Sequence, residues 1–282
     1  MTGFISVDKA QGVSSAREVN IIKHLAGMPC GHMGTLDPMA SGVLPVAIGN
    51  AARLFDYFLD KHKTYIADFV FGADSDTLDT TGTVTRTGGY IPTEEEINSV
   101  LPELYGEIMQ IPPRFSAKNV GGKRGYQLAR EGVDFELPPK KVKIYSIKLL
   151  NKVNENSYRF EIECGGGTYI RSIARDIGAK LGTCAIMSSL VRTKSGYFTI
   201  EKSVKTEKLT PENIGEFIIP TEEVLPFKSI KPTESEDKKL FNGLSVFSAE
   251  PDGIYKIYRA DGSFYGLAEV NLNKLKVRIK LC

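Results

Sequence analysis

Cysteine and histidine are scarce in this chain of 282 residues. Its four cysteines are scattered without a C-x-x-C pair, and only three histidines accompany them. Zinc sites and disulfide frameworks need closer and more regular spacing than this. We therefore expect no metal site, and we expect packed, reduced thiols at Cys30, Cys164, Cys184 and Cys282.

Long apolar runs are also missing. No run approaches the roughly 18 residues that a membrane-spanning helix needs. The first nine residues, MTGFISVDK, lack the basic and then apolar order of a signal peptide. The sequence predicts a cytoplasmic protein with no membrane association.

An excess of either charge is absent too, since 36 Lys and Arg face 34 Asp and Glu. This balance argues against a uniformly basic nucleic-acid binder, so any RNA-binding surface has to be local. The composition, 41% hydrophobic and 25% charged, is that of a folded globular protein. At this length, one large domain with a small appended one is expected.

Two helices can be predicted from their ends. Ser15 and Glu18 have the spacing of a capping box, and Gly27 is a suitable helix stop. A second helix is predicted to start near Thr168, because apolar residues recur at helical spacing after it. It carries Arg171 close to its amino end.

Strands are indicated by alternating apolar residues at several places. The clearest alternations lie at residues 65–71, 158–164 and 275–281, and an Asp-Gly turn at 261–262 indicates a hairpin between 254–260 and 264–270. The carboxy-terminal part is thus rich in strands, and its last strand has one basic face.

Charge is unevenly distributed along the middle of the chain. Acidic residues cluster between positions 74 and 96, and basic residues follow them. The basic stretch consists of Arg114, Lys118, Lys123, Arg124, Arg130, Lys140, Lys141 and Lys143, interleaved with Phe115 and Tyr126. Such a mixture suits contact with phosphates and bases, although a solvated charged face has the same composition.

Asp37 is the most suggestive single residue. It lies with His32 in the segment Gly31–Gly42, whose three glycines and one proline predict an irregular loop. A carboxylate held in such a loop can act as a nucleophile or a base. An Asx-turn before Pro38 would explain the same residue without any chemistry.

A glycine triplet, Gly165–Gly167, precedes the second helix. It lacks the glycine order and the lysine of known phosphate-binding loops, so a tight turn between strand and helix is the simpler interpretation. Arg171 follows near the positive end of the helix dipole, where a cation is unfavourable. A carboxylate partner would offset this, and Asp37 is a candidate.

The loop also resembles that of a known family. GHMGTLDPMASG at residues 31–42 is similar to the catalytic loop of bacterial tRNA pseudouridine-55 synthases, the TruB family. Other segments between about residues 4 and 200 are also similar and stand in the family's order. They are Val7–Lys9 with Gly12 and Ser15, Lys63–Tyr65, Gly72–Asp79, Pro112–Ala117 and Gly167–Ser172.

The resemblance implies roles for eight residues. Catalytic roles fall on Asp37, Tyr65 and Arg171, and substrate-binding roles fall on His32, Leu190, Lys9, Tyr169 and Arg192. In the family, the tyrosine stacks on the target base, the arginine pairs with the aspartate, the histidine wedges into the T-loop and the leucine lines the uracil pocket.

Four positions depart from the family pattern. Met33 and Ser41 replace threonines, Ala10 stands where proline is frequent, and Val191 replaces the first of two arginines. These changes bear on loop stiffness and RNA affinity, but each leaves the implied chemical groups in place.

The resemblance implies an α+β fold with a mixed or antiparallel central sheet and flanking helices. Residues 1–228 would form the catalytic domain and residues 229–282 a small β-rich, PUA-like RNA-binding domain. The implied enzyme is an isomerase that uses no cofactor, binds the T-arm of tRNA, needs no protein partner and acts as a monomer.

Two other functions fit the residues. An RNA N-glycosidase would use Asp37 against water and release free uracil. A non-catalytic RNA chaperone would use the same basic surface without needing the carboxylate.

Overall fold

The computed structural model describes residues 2–59, 62–116 and 118–281. Cys282, one of the predicted free thiols, lies outside the described residues, and so does the side chain of Arg124 in the basic stretch. Cys30, Cys164 and Cys184 carry free thiols as predicted.

The strands, in chain order, are β1 (Gly3–Lys9), β2 (Cys30–His32), β3 (Ser41–Ile48), β4 (Lys63–Phe71), β5 (Ala73–Ser75), β6 (Val84–Arg86), β7 (Gly106–Gln110), β8 (Asn119–Val120), β9 (Lys123–Arg124), β10 (Lys140–Asn154), β11 (Ser157–Cys164), β12 (Ala185–Ser195), β13 (Phe198–Thr199), β14 (Ser229–Ile230), β15 (Val246–Phe247), β16 (Gly253–Tyr258), β17 (Phe264–Asn271) and β18 (Lys274–Lys280). The helices are α1 (Ser15–Ala26), α2 (Asp56–Leu59), α3 (Glu94–Val100), α4 (Gly125–Arg130), α5 (Ile170–Lys180), α6 (Thr221–Val224) and α7 (Glu234–Phe241).

A large mixed sheet forms the centre of the fold. Its strands follow the order β1-β3-β12-β4-β11-β10-β7, with β2 also paired to β3 and β13 to β12. Most neighbours are antiparallel, whereas β3 and β12 run parallel where Ser41 faces Val191 and Gly42 faces Arg192. The predicted α+β class with a mixed central sheet is confirmed.

The two faces of this sheet pack into two different hydrophobic cores. Alternate residues such as Ile5 and Leu44 pack with α1, α3 and α5 in one core. Their neighbours Phe4 and Val43 point to the other face and pack in a second core that also contains Leu267 of β17. The period-two alternation of side chains along a strand explains this division.

A second, five-stranded sheet is built from residues 229–280 in the order β14-β16-β17-β18-β15. The predicted hairpin is present, and Gly262 takes a positive φ of 87° in its turn. The carboxy-terminal region is therefore rich in strands, as predicted. The domain boundary after residue 228 and the PUA-like nature of residues 229–282 stay predictions.

The helix ends were predicted with mixed success. Gly27 ends α1 in the left-handed conformation, as predicted, but the capping box at Ser15 is wrong. Ser14 is the cap, because its side chain accepts the backbone N–H of Arg17, while the Ser15 hydroxyl is used elsewhere. The second helix, α5, starts at Ile170, two residues after the predicted position.

Among the described residues, no helix combines the length and apolar character that crossing a membrane would require.

Candidate active site

Asp37 lies in the irregular loop, residues 33–40, that joins β2 to β3. The two strands pair with each other, with His32 opposite Val46, so both ends of the loop are fixed to the large sheet. The Asp37 side chain is 42% exposed. Its carboxylate is thus held by an anchored loop and remains accessible to a substrate.

Ser15, at the start of α1, fixes the residue before Asp37. Its Oγ donates to the carbonyl of Leu36 at 2.8 Å and accepts the N–H of Leu36 at 2.9 Å. One buried hydroxyl thereby satisfies both backbone groups of Leu36, which would otherwise be costly to bury. The same bonds explain why Ser15 does not cap its own helix.

Two buried cations hold the loop and its flanks through backbone carbonyls. Arg192 donates to Val43 at 2.7 Å and to Gly34 at 3.0 Å. Lys9 donates to Pro38 at 3.4 Å, and burial lowers the pKa of its ammonium group. Both side chains are almost completely buried and donate to backbone carbonyls, so they stabilise the conformation of the loop.

Arg171 brings three segments together beneath the loop. Its guanidinium forms ion pairs with Asp37 at 2.8 Å and with Asp79 at 3.2 Å. It also donates to the carbonyls of Thr77 at 2.9 Å and Phe115 at 3.1 Å. The ion pair predicted from the position of Arg171 at the helix start is therefore present.

Asp79 was not singled out by sequence reasoning. Its buried carboxylate accepts the hydroxyl of Thr77 at 2.8 Å and the N–H of Thr81 at 2.9 Å, in addition to its contact with Arg171. A buried charge needs such partners. The available signal was its place at the end of the acidic segment 72–79, which is one of the segments similar to the family.

A cavity of about 290 Å³ opens beside the carboxylate. Asp37, Tyr65, Tyr169 and Leu190 all line it, so it gathers four of the eight residues predicted from the resemblance. The buried residues Arg171 and Arg192 also line this cavity, so six of the eight predicted residues lie around it.

The register of β4 and β12 places two of these residues. Tyr65 on β4 stands opposite Arg192 on β12, and Leu190 stands opposite Ala67. Burial raises the pKa of the Tyr65 hydroxyl, so this ring is neutral at physiological pH. A flat, neutral ring and an aliphatic side chain at a cavity wall suit an aromatic base.

A second cavity, of about 800 Å³, is also lined by Asp37. Asp76 and Asp79 line one part of it, and Tyr126 and Arg130 of α4 line another. Asp37 therefore borders both a small cavity and a larger one.

His32 does not line either cavity. It lies on β2, half-buried, and its buried Nδ1 atom has no hydrogen-bond partner among the described residues. Burial lowers the pKa of the imidazole, so the ring is neutral at pH 7.

The glycine triplet, Gly165–Gly167, forms a tight turn between a strand and a helix, as the simpler interpretation of the sequence predicted. The N–H of Gly165 bonds to the carbonyl of Lys143 at 2.8 Å, and the Thr168 hydroxyl bonds back to Gly165 at 2.9 Å. The turn carries the chain from β11 into α5 and so delivers Arg171 to the site.

Part of the basic stretch is paired within the protein. Lys123 contacts Glu131 and Lys141 contacts Glu107, each at 2.9 Å. Both pairs are solvent-exposed and therefore weak, so they compete little with phosphates.

Among the residues that the structure describes, no three His, Cys, Asp or Glu side chains are grouped to hold a metal ion.

Two family models match the chain in sequence. The N-terminal domain of TruB family pseudouridylate synthases matches residues 23–170, and the C-terminal domain of tRNA pseudouridylate synthase B matches residues 171–235.

Whole relatives match over nearly their full lengths. The tRNA pseudouridine synthase B of Clostridium tetani is 40% identical over 286 aligned residues, with 98% of each chain covered. That of Clostridium acetobutylicum is 37% identical, with 100% of this chain and 99% of the relative covered.

The fold is similar to a chain in the crystal structure of a Cbf5-Nop10-Gar1 complex. The TM-score is 0.74 at 26% identity, over 99% of this chain and 85% of that chain. From the matches to both family models and to full-length relatives, this chain belongs to the TruB family of pseudouridylate synthases.

Proposed function

We propose that this chain is a tRNA pseudouridine synthase that isomerises the T-loop uridine at position 55, with Asp37 as the catalytic carboxylate. The relatives that match it over their full lengths carry the name tRNA pseudouridine synthase B. The observation that carries the proposal is the accessible Asp37 carboxylate, paired with a buried arginine at the wall of a cavity lined by Tyr65 and Leu190.

The reaction is an isomerisation and needs no external reagent. The bond from N1 to C1′ of the uridine breaks, the base rotates, and a new bond forms between C5 and C1′. C5 loses its hydrogen as a proton, and N1 ends with a proton in its place. A single well-placed carboxylate can serve this sequence in three ways: attack on C1′, addition to C6, or removal of a ribose proton to give a glycal.

The site geometry suits a carboxylate that acts on the base–ribose bond. Arg171 fixes the orientation of Asp37 through their 2.8 Å ion pair, while its own position is fixed by Asp79 and two carbonyls. In our proposal, the uracil ring stacks on Tyr65 and contacts Leu190 in the small cavity.

The target base is stacked inside folded tRNA and must be extruded, at a cost of about a few kcal/mol. We assign to Tyr65 the stacking that offsets part of this cost. We assign to His32 the role of a wedge that fills the space left by the base, and its position beside the loop, outside both cavities, is compatible with that role.

The remaining predicted residues divide by their burial. Tyr169 is half-buried and lines the small cavity, and we propose that it contacts substrate directly. Lys9 and Arg192 are almost completely buried and donate to loop carbonyls, and we propose that they serve substrate binding by holding the loop in place.

We also propose that the T-arm is the part of tRNA recognised, that residues 229–282 add a second RNA-binding surface, and that the protein works as a monomer in the cytoplasm without an obligate protein partner. The exposed basic residues Lys274, Lys276 and Arg278 of β18 support the second of these points.

The decisive experiment uses unmodified tRNA labelled with tritium at C5 of uridine. Isomerisation has to release this hydrogen whichever of the three chemical routes operates. The wild-type protein is expected to release tritium and no free uracil. Asp37→Asn keeps the shape of the side chain but removes the carboxylate, so it is expected to abolish release while tRNA binding stays within about tenfold.

Asp261→Asn, in an exposed turn of the second sheet, serves as the matched control and is expected to keep full activity. Substantial turnover by Asp37→Asn would refute the catalytic assignment. Free uracil as a product would indicate an N-glycosidase, and no tritium release by the wild type would indicate a non-catalytic RNA binder.

A further inference from the structure

The start of α5, which sets the position of Arg171, has no capping side chain of its own. Tyr169 is the cap residue, and its side chain makes no capping hydrogen bond. Its backbone N–H points away from the helix and needs a partner from another segment. The partner comes from β7, the edge strand of the large sheet.

Gln110, the last residue of β7, bonds to both backbone groups of Tyr169. Its amide Oε1 accepts the N–H of Tyr169 at 2.8 Å, and its Nε2 donates to the carbonyl of Tyr169 at 3.1 Å. Only this orientation of the amide matches a donor to an acceptor at both contacts. Gln110 is 1% exposed, so neither contact can be replaced by water at the surface.

The geometry assigns to Gln110 the role of a positioning residue: we propose that its two-point contact with Tyr169 sets the start of α5 and thereby aligns the Arg171 guanidinium with Asp37. This inference rests on the proposed roles of Asp37 and Arg171. It concerns a side chain that touches neither the cavity nor the reacting groups.

The arrangement of α5 makes Arg171 sensitive to this contact. Arg171 is the second helical residue, only two positions after Tyr169. Its planar guanidinium meets two carboxylates and two carbonyls at once, so a small shift of the helix start lengthens several of these bonds together.

The helix itself has other attachments to the same segment. Ser172 and Arg175 both donate to the carbonyl of Ile111, at 2.9 Å and 3.1 Å. These bonds remain when Gln110 is replaced, so α5 stays docked on the sheet. We therefore expect loss of Gln110 to misplace the first turn without unfolding the protein.

Gln110→Met is the main test, because methionine has a similar length and offers neither the strong donor nor the acceptor. Gln110→Ala is the second variant. Under enzyme excess, the single-turnover rate of tritium release from C5-labelled tRNA is expected to fall at least about tenfold in both, since sub-ångström misplacement of catalytic groups is costly. The Kd for tRNA is expected to rise by a smaller factor than the rate falls, because Tyr169 is the only proposed substrate contact that Gln110 touches and the phosphate contacts remain.

Tyr158→Phe is the matched control. It also removes a buried bond from a side chain to a backbone carbonyl, that of Tyr158 to Pro92 at 2.8 Å, in the same sheet but away from the site. Its melting temperature is expected to fall as much as that of Gln110→Met, with a single-turnover rate within about twofold of the wild type.

Rates of both Gln110 variants within about twofold of the wild type would overturn the proposal, whatever happens to their melting temperatures. An equal loss of rate in Tyr158→Phe would also overturn it, because stability alone would then explain the effect. If the wild type itself released no tritium, the proposed function would fail, and this result is distinct from an active wild type with unaffected variants.

Discussion

Arg171 and Asp37 form a 2.8 Å ion pair in which the arginine side chain is 7% exposed and the aspartate is 42% exposed. The cation is thus fixed by the protein, and the carboxylate faces the cavities. The remaining polar contacts of Arg171, to Asp79 and two backbone carbonyls, hold the guanidinium plane in one orientation.

Lysine cannot reproduce this set of contacts, because an ammonium group lacks the planar, forked geometry of a guanidinium. Arg171→Lys is therefore expected to lower the single-turnover rate by about a hundredfold or more, with tRNA affinity changed little. Tritium release and filter binding measure the two quantities. Turnover of the lysine variant at the wild-type rate would show that the pair does not position Asp37.

Binding of tRNA is expected to weaken steeply with salt, since phosphate contacts release counterions. Lys143→Ala and Lys276→Ala should each reduce the slope of log K against log[salt] by about one. Lys180, the last residue of α5, pairs with Glu103 and provides the control, and Lys180→Ala should leave the slope unchanged. A flat plot for the wild type would mean that the basic stretch is only a solvated surface.

His32 is expected to act through the shape of its ring. His32→Phe should retain most of the activity, whereas His32→Ala should lose about tenfold or more, and this deficit should shrink on a substrate with an already loosened T-loop. Equal losses in both variants would indicate a hydrogen-bonding or acid–base role for the imidazole.

The same residue gives a pH dependence of stability. Burial lowers the pKa of His32 below the value of about 6.5 in the unfolded chain, so the unfolded state binds more protons at acid pH. The free energy of unfolding should therefore fall as the pH drops below about 6.5. Urea titrations at neutral and acid pH should show a smaller fall for His32→Phe than for the wild type.

Gly42 is expected to be irreplaceable at the junction of the loop and β3. It has a φ of 98°, and an added Cβ would lie 2.3 Å from the carbonyl oxygen of Arg192. Gly42→Ala thus combines backbone strain with overlap and should cost more than about 3 kcal/mol. Gly12→Ala, at a φ of 84° with open space around the position, should cost only about 1 kcal/mol. Equal unfolding free energies in urea for the two variants would contradict the close approach of β3 and β12.

Local patterns in the sequence predicted much of the fold. The alternation at Tyr65–Phe71 and Tyr158–Cys164 predicted β4 and β11, because a strand with one buried face requires period two. The turn at Asp261–Gly262 predicted a hairpin, because few residues adopt positive φ. The placement of Arg171 at a helix start predicted its carboxylate partner, because the helix dipole disfavours a lone cation there.

Sequence patterns by themselves did not determine contacts between distant segments. Two contacts show this: Asp79 pairs with Arg171, and Gln110 bonds to Tyr169. In each pair the two residues are dozens of positions apart along the chain and meet only when the large sheet and α5 assemble. Ser15 shows the limit most clearly. Its spacing to Glu18 satisfies the rule for a local cap, but tertiary packing offers its hydroxyl both backbone groups of Leu36. Pairing two buried backbone groups stabilises the fold more than one helix cap does, and Ser14 can supply the cap instead.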